Sequence, residues 1–196
     1  MIQLIFATNN QNKVEEINSA VGNKIEIISL KDAGINIDIP EPHATLSENA
    51  SEKSKTIHQL TGKNCFSEDT GLEIDALNGE PGVKSARYAG DEKIFQKNID
   101  KVLNKLTGIY NRNAKFRTVI SLILNEREYF FEGFCNGEII TKQRGENGFG
   151  YDSIFKPQGS EKTFAEMTLE EKNIFSHRKK AADKLIIFLQ KFYGKN

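Results

Sequence analysis

Cysteine is scarce: Cys65 and Cys135 are the only two in 196 residues. They lie far apart, each within an apolar run, so their spacing builds neither a disulfide framework nor a metal knuckle. Both read as buried thiols of a reducing compartment. Histidine is almost as thin, and His43, His58 and His177 have no metal-ligand spacing, which leaves zinc without a binding set. An excess charge of one sign is also missing, because 27 Lys and Arg face 27 Asp and Glu for a net charge of zero. That balance speaks against a protein that holds nucleic acid or a membrane surface by surplus cations. Any anionic ligand must then be met by a local cluster of positive groups. No run approaches the ~20 apolar residues of a membrane span. The opening stretch Met1-Ile2-Gln3-Leu4-Ile5-Phe6-Ala7 is short and lacks the basic start of a secretory signal. A soluble, cytoplasmic protein is expected.

Absent motifs narrow the chemistry further. No G-x-x-x-x-G-K-[ST] occurs and no G-x-G-x-x-G follows the first strand, so the P-loop and Rossmann readings are closed. No G-x-S-x-G elbow is present and Cys65 has no apparent histidine partner, so covalent catalysis is not expected.

The patterning that is present alternates strands and helices. Ile2 to Ala7 is rich in strand formers, and a polar turn then leads to a helix with Val14, Ile17 and Val21 on one face. Ile25 to Leu30 suggests a second strand, and the Pro-containing stretch from Ile35 to Ala44 a loop. Thr45-Leu46-Ser47-Glu48 has capping-box spacing before a helix over about 47–60. Short strands at 64–67 and 72–77 are expected to flank a polar corner, Glu68-Asp69-Thr70-Gly71. Phe95, Ile99, Val102, Leu103 and Leu106 repeat as a helix. Residues 116–124 alternate as a strand, and Asn125-Glu126-Arg127-Glu128 separates it from a partner over 129–134, a predicted hairpin. A second capping box, Thr168 to Glu171, precedes a closing helix with Ala181, Leu185, Phe188, Leu189 and Phe192 on its core face. The fold class is α/β with a mixed sheet, and glycine-rich turns near 80 and 145–150 are placed to separate two lobes around a cleft.

Four polar segments carry the candidate chemistry. Thr8-Asn9-Asn10-Gln11-Asn12-Lys13, leaving a strand and opening a helix, presents backbone N–H groups and a lysine to an anion, although capping by Asn9 or Asn10 explains it equally well. Glu68-Asp69, with Glu41 as a third carboxylate, offers oxygen ligands suited to Mg²⁺; the blander reading has Asp69 capping a turn. Gly148-Phe149-Gly150-Tyr151-Asp152 combines close backbone approach with an aromatic platform for a planar base, or a plug in a loop. Ser176-His177-Arg178 opens the last helix, with Lys172 just before it, and Ser176 as N-cap accounts for the serine without any function.

These segments, with Ser47-Glu48-Asn49-Ala50, Ser67-Glu68-Asp69-Thr70-Gly71-Leu72 and Pro81-Gly82-Val83-Lys84-Ser85-Ala86-Arg87-Tyr88, occur in an order and spacing that resembles the Ham1/RdgB inosine triphosphate pyrophosphatase family over nearly the whole chain. The resemblance implies a homodimeric, Mg²⁺-dependent enzyme that hydrolyses the non-standard purine triphosphates ITP, dITP and XTP to monophosphate and pyrophosphate. It implies an elongated mixed β-sheet flanked by helices, in one domain of two lobes with a central cleft. By position, Thr8, Asn9, Asn10, Gln11, Asn12, Lys13 and Lys53 resemble the triphosphate cradle and Thr70 a further substrate contact. Glu41, Glu68 and Asp69 resemble the metal carboxylates, with Asp69 as general base. Phe149, Gly150, Tyr151, Asp152, Lys172, His177 and Arg178 resemble the nucleobase and sugar end. Glu68 stands where Asp is common in bacterial members and Thr70 where Ser is, which keeps the carboxylate and hydroxyl chemistry. A non-hydrolysing nucleotide sensor and a pyrophosphatase of other triphosphates are the alternatives that turnover measurements separate.

Overall fold

The computed structural model describes residues 2–21, 23 and 25–194. Met1, at the head of the expected first strand, lies outside that range. The elements run β1 (Ile2–Phe6), α1 (Gln11–Val21), β2 (Ile25–Ser29), α2 (Leu46–Thr61), β3 (Cys65–Ile74), β4 (Pro81–Gly82), α3 (Phe95–Lys105), β5 (Asn113–Leu124), β6 (Arg127–Ile139), β7 (Phe155–Pro157), α4 (Leu169–Phe175) and α5 (His177–Tyr193). Among the described residues the strands form one sheet in the order β2-β1-β3-β5-β6-β7, with β4 on β3. It is mixed, as expected: β1 pairs in parallel with β2 and β3, while β4 on β3 and β7 on β6 are antiparallel. No helix among the described residues is long and apolar enough to cross a membrane.

Contacts divide the chain into two compact units. The first takes residues up to Asp69, Thr118–Gly133 and everything from His177 on. Its central strands β1, β3 and β5 are largely buried, and strand alternation sorts their side chains into two clusters. Leu4, Phe6, Phe66, Ile120, Leu122 and Leu124 pack with α1 and α5, whereas Ile5, Ala7, Cys65 and Ile123 pack with Ile57 of α2. Phe6 and Phe66, paired in register, stack at 4.4 Å. On α5, Ala181, Leu185 and Leu189 are fully buried, while Phe188 and Phe192 pack at the margin. The second unit takes Thr70–Arg117 and Phe134–Ser176. Its core joins Leu72, Ile74, Ile99, Val102, Leu106, Phe116, Phe155 and Phe164, with Phe116 edge-on to Phe155 at 4.7 Å. Arg112 staples this unit by donating to the carbonyls of Leu106, Ile139 and Ile140.

Local chemistry sets the element ends. Asn10 accepts from the Lys13 N–H and so caps α1. Thr45 caps α2, and Gly62, at φ 65°, closes it with a bond to the His58 carbonyl. The Thr168–Glu171 capping box forms with both reciprocal bonds, and a second one, Thr163–Glu166, opens a single 3₁₀ turn. The hairpin is tighter than expected: Asn125 and Glu126, both at positive φ, make a two-residue turn whose twist matches the strands.

Two expectations fail. The glycine-rich turns near 80 and 145–150 do not separate the two units, because both lie within the second one. Glu68-Asp69-Thr70-Gly71 is no corner between two strands, because β3 runs straight through it from Cys65 to Ile74. Gly71 misleads in that it serves close approach, not a turn: a Cβ there would lie 2.7 Å from the Gly82 carbonyl oxygen of β4. The reading of Asp69 as a turn cap falls with it.

Gly133 has a similar role in the first unit, since a Cβ on it would collide with the His177 carbonyl and come within 2.6 Å of the Ala181 nitrogen. Gly133→Ala is expected to cost about 3 kcal/mol or more, read by chemical denaturation, because backbone cannot yield as a side chain can. A loss below 1 kcal/mol would show that α5 does not lie on β6 at this distance.

Candidate active site

Strand alternation sends adjacent residues of β3 to opposite faces, and this organises the charged groups of the first unit. Cys65, Ser67 and Asp69 face α2: the Cys65 thiol bonds the Ser54 carbonyl at 3.2 Å, the Ser67 hydroxyl donates to the Ala50 carbonyl, and Asp69 meets Lys53. On α2, Ala50, Lys53, Ser54 and Ile57 recur at helical spacing, so one buried stripe supplies both the docking carbonyls and the ammonium. Glu68 faces the other way, towards α1 and α5.

On the α2 face the Lys53 ammonium bridges Glu41 Oε1 at 2.7 Å and Asp69 Oδ1 at 3.0 Å. Burial alone would lower the Lys53 pKa, but the two carboxylates outweigh it and raise it above its ordinary value, so the amine stays charged. Asp69 is shifted upward, chiefly by burial with Glu41 adding, against the pull of Lys53 and Lys13. On the opposite face Arg178 holds both oxygens of Glu68, Nε at 2.7 Å and Nη2 at 2.9 Å, and its Nη1 contacts Glu16. Lys13 lies 3.2 Å from Glu68 Oε1. Burial would raise the Glu68 pKa, yet Arg178 and Lys13 bring it down to about 2. Arg178 stands in the first turn of α5, where the helix dipole disfavours a cation; the two carboxylates offset that.

The β1–α1 turn is partly committed to the fold. Thr8 Oγ1 accepts from the Asn10 N–H, Asn10 caps the helix, and Asn9 Nδ2 donates to the Ile37 carbonyl at 2.7 Å. Gln11 and Asn12 are exposed in the first turn of α1, and Lys13 reaches Glu68. Among the described residues no three His, Cys, Asp or Glu side chains converge to hold a metal ion by themselves; the carboxylates of Glu41, Glu68 and Asp69 meet lysine and arginine instead.

In the second unit the loop from Gly148 wraps around one carboxylate. Asp152 Oδ2 accepts from the Phe149 N–H at 2.9 Å and from the Lys172 ammonium at 2.5 Å, with both charged side chains buried. Gly148 sits at φ 75°, and a Cβ there would strike the Asp152 carboxylate. Lys172 also lies over the Phe149 and Phe164 rings, at 5.5 and 5.0 Å. Phe149 is half-buried beside Phe95 and Gly150 adopts φ 64°. The Tyr151 hydroxyl donates to the Ser85 carbonyl at 2.8 Å, and burial pushes its pKa up. Thr70 is half-buried on β3. Of the Ser176-His177-Arg178 segment, Arg178 belongs with Glu68 and Glu16, and His177 is buried as the first residue of α5.

Two residues to which the sequence assigned no role of their own take part, Asn49 having stood only within the Ser47-Glu48-Asn49-Ala50 segment. Glu16 is buried on α1 against Arg178, and its only signal is the stripe Lys13, Glu16, Ile17, Ala20 at helical spacing. Asn49, fully buried on α2, binds the His43 backbone through both ends of its side-chain amide.

Comparison with known proteins gives one consistent answer. A profile described as the Ham1 family matches residues 4–188. The chain is 50% identical over 188 residues to the dITP/XTP pyrophosphatase of Flavobacterium johnsoniae, covering 96% of this chain and 98% of that protein. Among solved structures it is similar to the Ham1 protein of Staphylococcus aureus (TM-score 0.86, 38% identity, 96% and 98% of the two chains). It is also similar to a HAM1 protein of Coxiella burnetii (TM-score 0.87, 36% identity, 97% and 100%).

The Glu68 shift fixes a pH window. Its folded pKa of about 2 lies below the ordinary 4.5, so its contribution to stability is complete above 4.5 and is lost as pH falls from there towards 2. The Glu68 contribution should be complete above about pH 5, and denaturation midpoints should fall steeply below it. Glu68→Gln should flatten that limb while costing about 3–5 kcal/mol at pH 7, because it strands Arg178. An acid limb identical in the variant would remove Glu68 as its source.

Proposed function

The chain belongs to the Ham1 family, and on that premise we propose that it is a nucleoside triphosphate pyrophosphatase, a hydrolase acting on acid anhydrides. Its substrates are the non-standard purine triphosphates dITP, XTP and ITP, opened at the bridge between the α and β phosphates to give monophosphate and pyrophosphate. The likeness to a dITP/XTP pyrophosphatase at 50% identity over nearly both chains supports the substrate class. The observation that carries the reaction is the Lys53 ammonium held between Glu41 and Asp69, with Lys13 and Glu68 on the other face of the same strand.

In this reading Asp69 takes a proton from the attacking water, its carboxyl shifted upward by burial against the pull of Lys53 and Lys13. Lys13, Lys53 and the N–H groups opening α1, with Thr8, Asn9, Asn10, Gln11 and Asn12, face the polyphosphate and stabilise charge on the departing pyrophosphate. Mg²⁺ fits the hard-oxygen donors present. Glu41 and Asp69 already converge on one positive group, and such an ion is commonly held by one or two carboxylates and completed by substrate phosphates. Glu68, grouped with them by the resemblance, is held by Arg178 and Lys13 on the opposite face of β3. The metal would supply further neutralisation of the phosphate oxygens. Phe149, Gly150, Tyr151, Asp152, Lys172, His177 and Arg178 are assigned to base and sugar, and Thr70 to a further substrate contact. Hypoxanthine and xanthine present a carbonyl at C6 where adenine has an amino group, so N–H donors left unpaired against adenine penalise it. A homodimer, expected from the resemblance, and a cytoplasmic location, expected from the sequence, belong to the same reading.

Side-by-side turnover of dITP, XTP, ITP, GTP, ATP and dUTP with Mg²⁺ should give monophosphate and pyrophosphate from the first three, and removal of Mg²⁺ by chelation should abolish it. Asp69→Asn should lose about a hundred- to ten-thousandfold in kcat while still binding dITP. Release of orthophosphate and the diphosphate would overturn the bond assignment, and a wild-type protein inert to all six would replace the enzyme by a nucleotide sensor.

A further inference from the structure

Glu41 lies in a segment without regular structure, residues 35–45, so its backbone position depends on side chains that reach it from elsewhere. Two such anchors bracket it. Upstream, Asn9 Nδ2 donates to the Ile37 carbonyl at 2.7 Å, while Ile35, Ile37 and Ile39 pack against the cluster of Ile5, Ala7, Leu30 and Ile57. Downstream, the Asn49 side chain accepts from the His43 N–H at 2.9 Å and donates to the His43 carbonyl at 3.2 Å. A donor and an acceptor on one residue admit a single orientation of the amide, so this two-bond ring fixes His43 against α2. Pro40 and Pro42 flank Glu41 with restrained φ, so little torsional slack separates His43 from the carboxylate. Asn49 also sits one helical turn before Lys53 on the same buried stripe of α2. The helix that carries the ammonium therefore carries the clamp for the loop that brings its partner.

We propose that Asn49 is a positioning residue: by gripping both backbone polar groups of His43 it sets the Glu41 carboxylate on Lys53, and so helps hold the Lys53 ammonium between Glu41 and Asp69. Asn49 touches none of the three charged groups and acts only through the loop. The functional weight of this placement rests on the hydrolase reading above, but the placement itself does not.

The test separates the two. Asn49→Asp keeps shape and the acceptor for the His43 N–H but turns an oxygen on the His43 carbonyl, and Asn49→Ala removes both bonds. In crystal structures of the wild type and Asn49→Asp, the 2.7 Å Lys53–Glu41 contact is expected in the first and lost in the second. In the wild type the His43 amide should be protected from hydrogen exchange, a readout that needs no variant to fold. With dITP, Asn49→Asp and Asn49→Ala should lower kcat about ten- to hundredfold with KM changed less, as misplacement near a reacting centre does. In a Glu41→Gln background the same substitutions should add little, since their route is already cut. An intact Lys53–Glu41 contact in Asn49→Asp, rapid exchange of the His43 amide, or fully additive losses with Glu41→Gln would each overturn the proposal. A wild-type protein without turnover would sink the hydrolase reading and leave the contact and the exchange to decide the placement.

Discussion

A carboxylate taken out of water demands a cation, and two consecutive ones on a strand demand two, on opposite faces. Glu68 and Asp69 impose that demand at the place where β3 passes from one compact unit to the other. α2 answers on one face with Lys53; α1 and α5 answer on the other with Lys13 and Arg178. Each helix of the first unit therefore has a polar appointment in addition to its apolar one. Hydrophobic burial brings α2 against the sheet, but it tolerates sliding by a turn. The Ser67, Cys65 and Asp69 contacts do not. Buried ion pairs of this kind are poor sources of net stability and good fixers of register.

The same demand explains why the site stays charged. Among Glu16, Glu41, Glu68, Asp69, Lys13, Lys53 and Arg178 the carboxylates outnumber the cations by one. That excess of negative charge is what the proposed Mg²⁺ would offset. A neutral surface overall is compatible with this, because the field that matters is local.

The sequence made the architecture legible where spacing speaks: the buried stripes of α1 and α5, the alternation of β5, and the Thr168 capping box need only neighbours within a turn or a strand. Asp69, Lys13 and Lys172 were legible as candidates because they stand in or beside recognisable segments, and Lys53 only through the family resemblance. What stayed hidden depends on distant partners. Glu16 reads as an ordinary solvated charge until Arg178, 162 positions further on, is brought against it. Asn49 reads as part of a helix start, and only the path of the 35–45 loop gives its amide a target. Glu68-Asp69-Thr70-Gly71 reads as a turn by composition, and the pairing of β3 with β4 overrides that.

The first unit is assembled from the beginning, the middle and the end of the chain. Emerging from the ribosome, β1, β3 and α2 can collapse early, yet Glu68 then waits through more than half of synthesis for Arg178. Until that arginine is made, Glu68 has Lys13 but not the guanidinium that holds both its oxygens in the finished unit. Truncation of the last helix would leave Asp69 with Lys53 and Glu68 with Lys13, but would take away the guanidinium that holds both Glu68 oxygens.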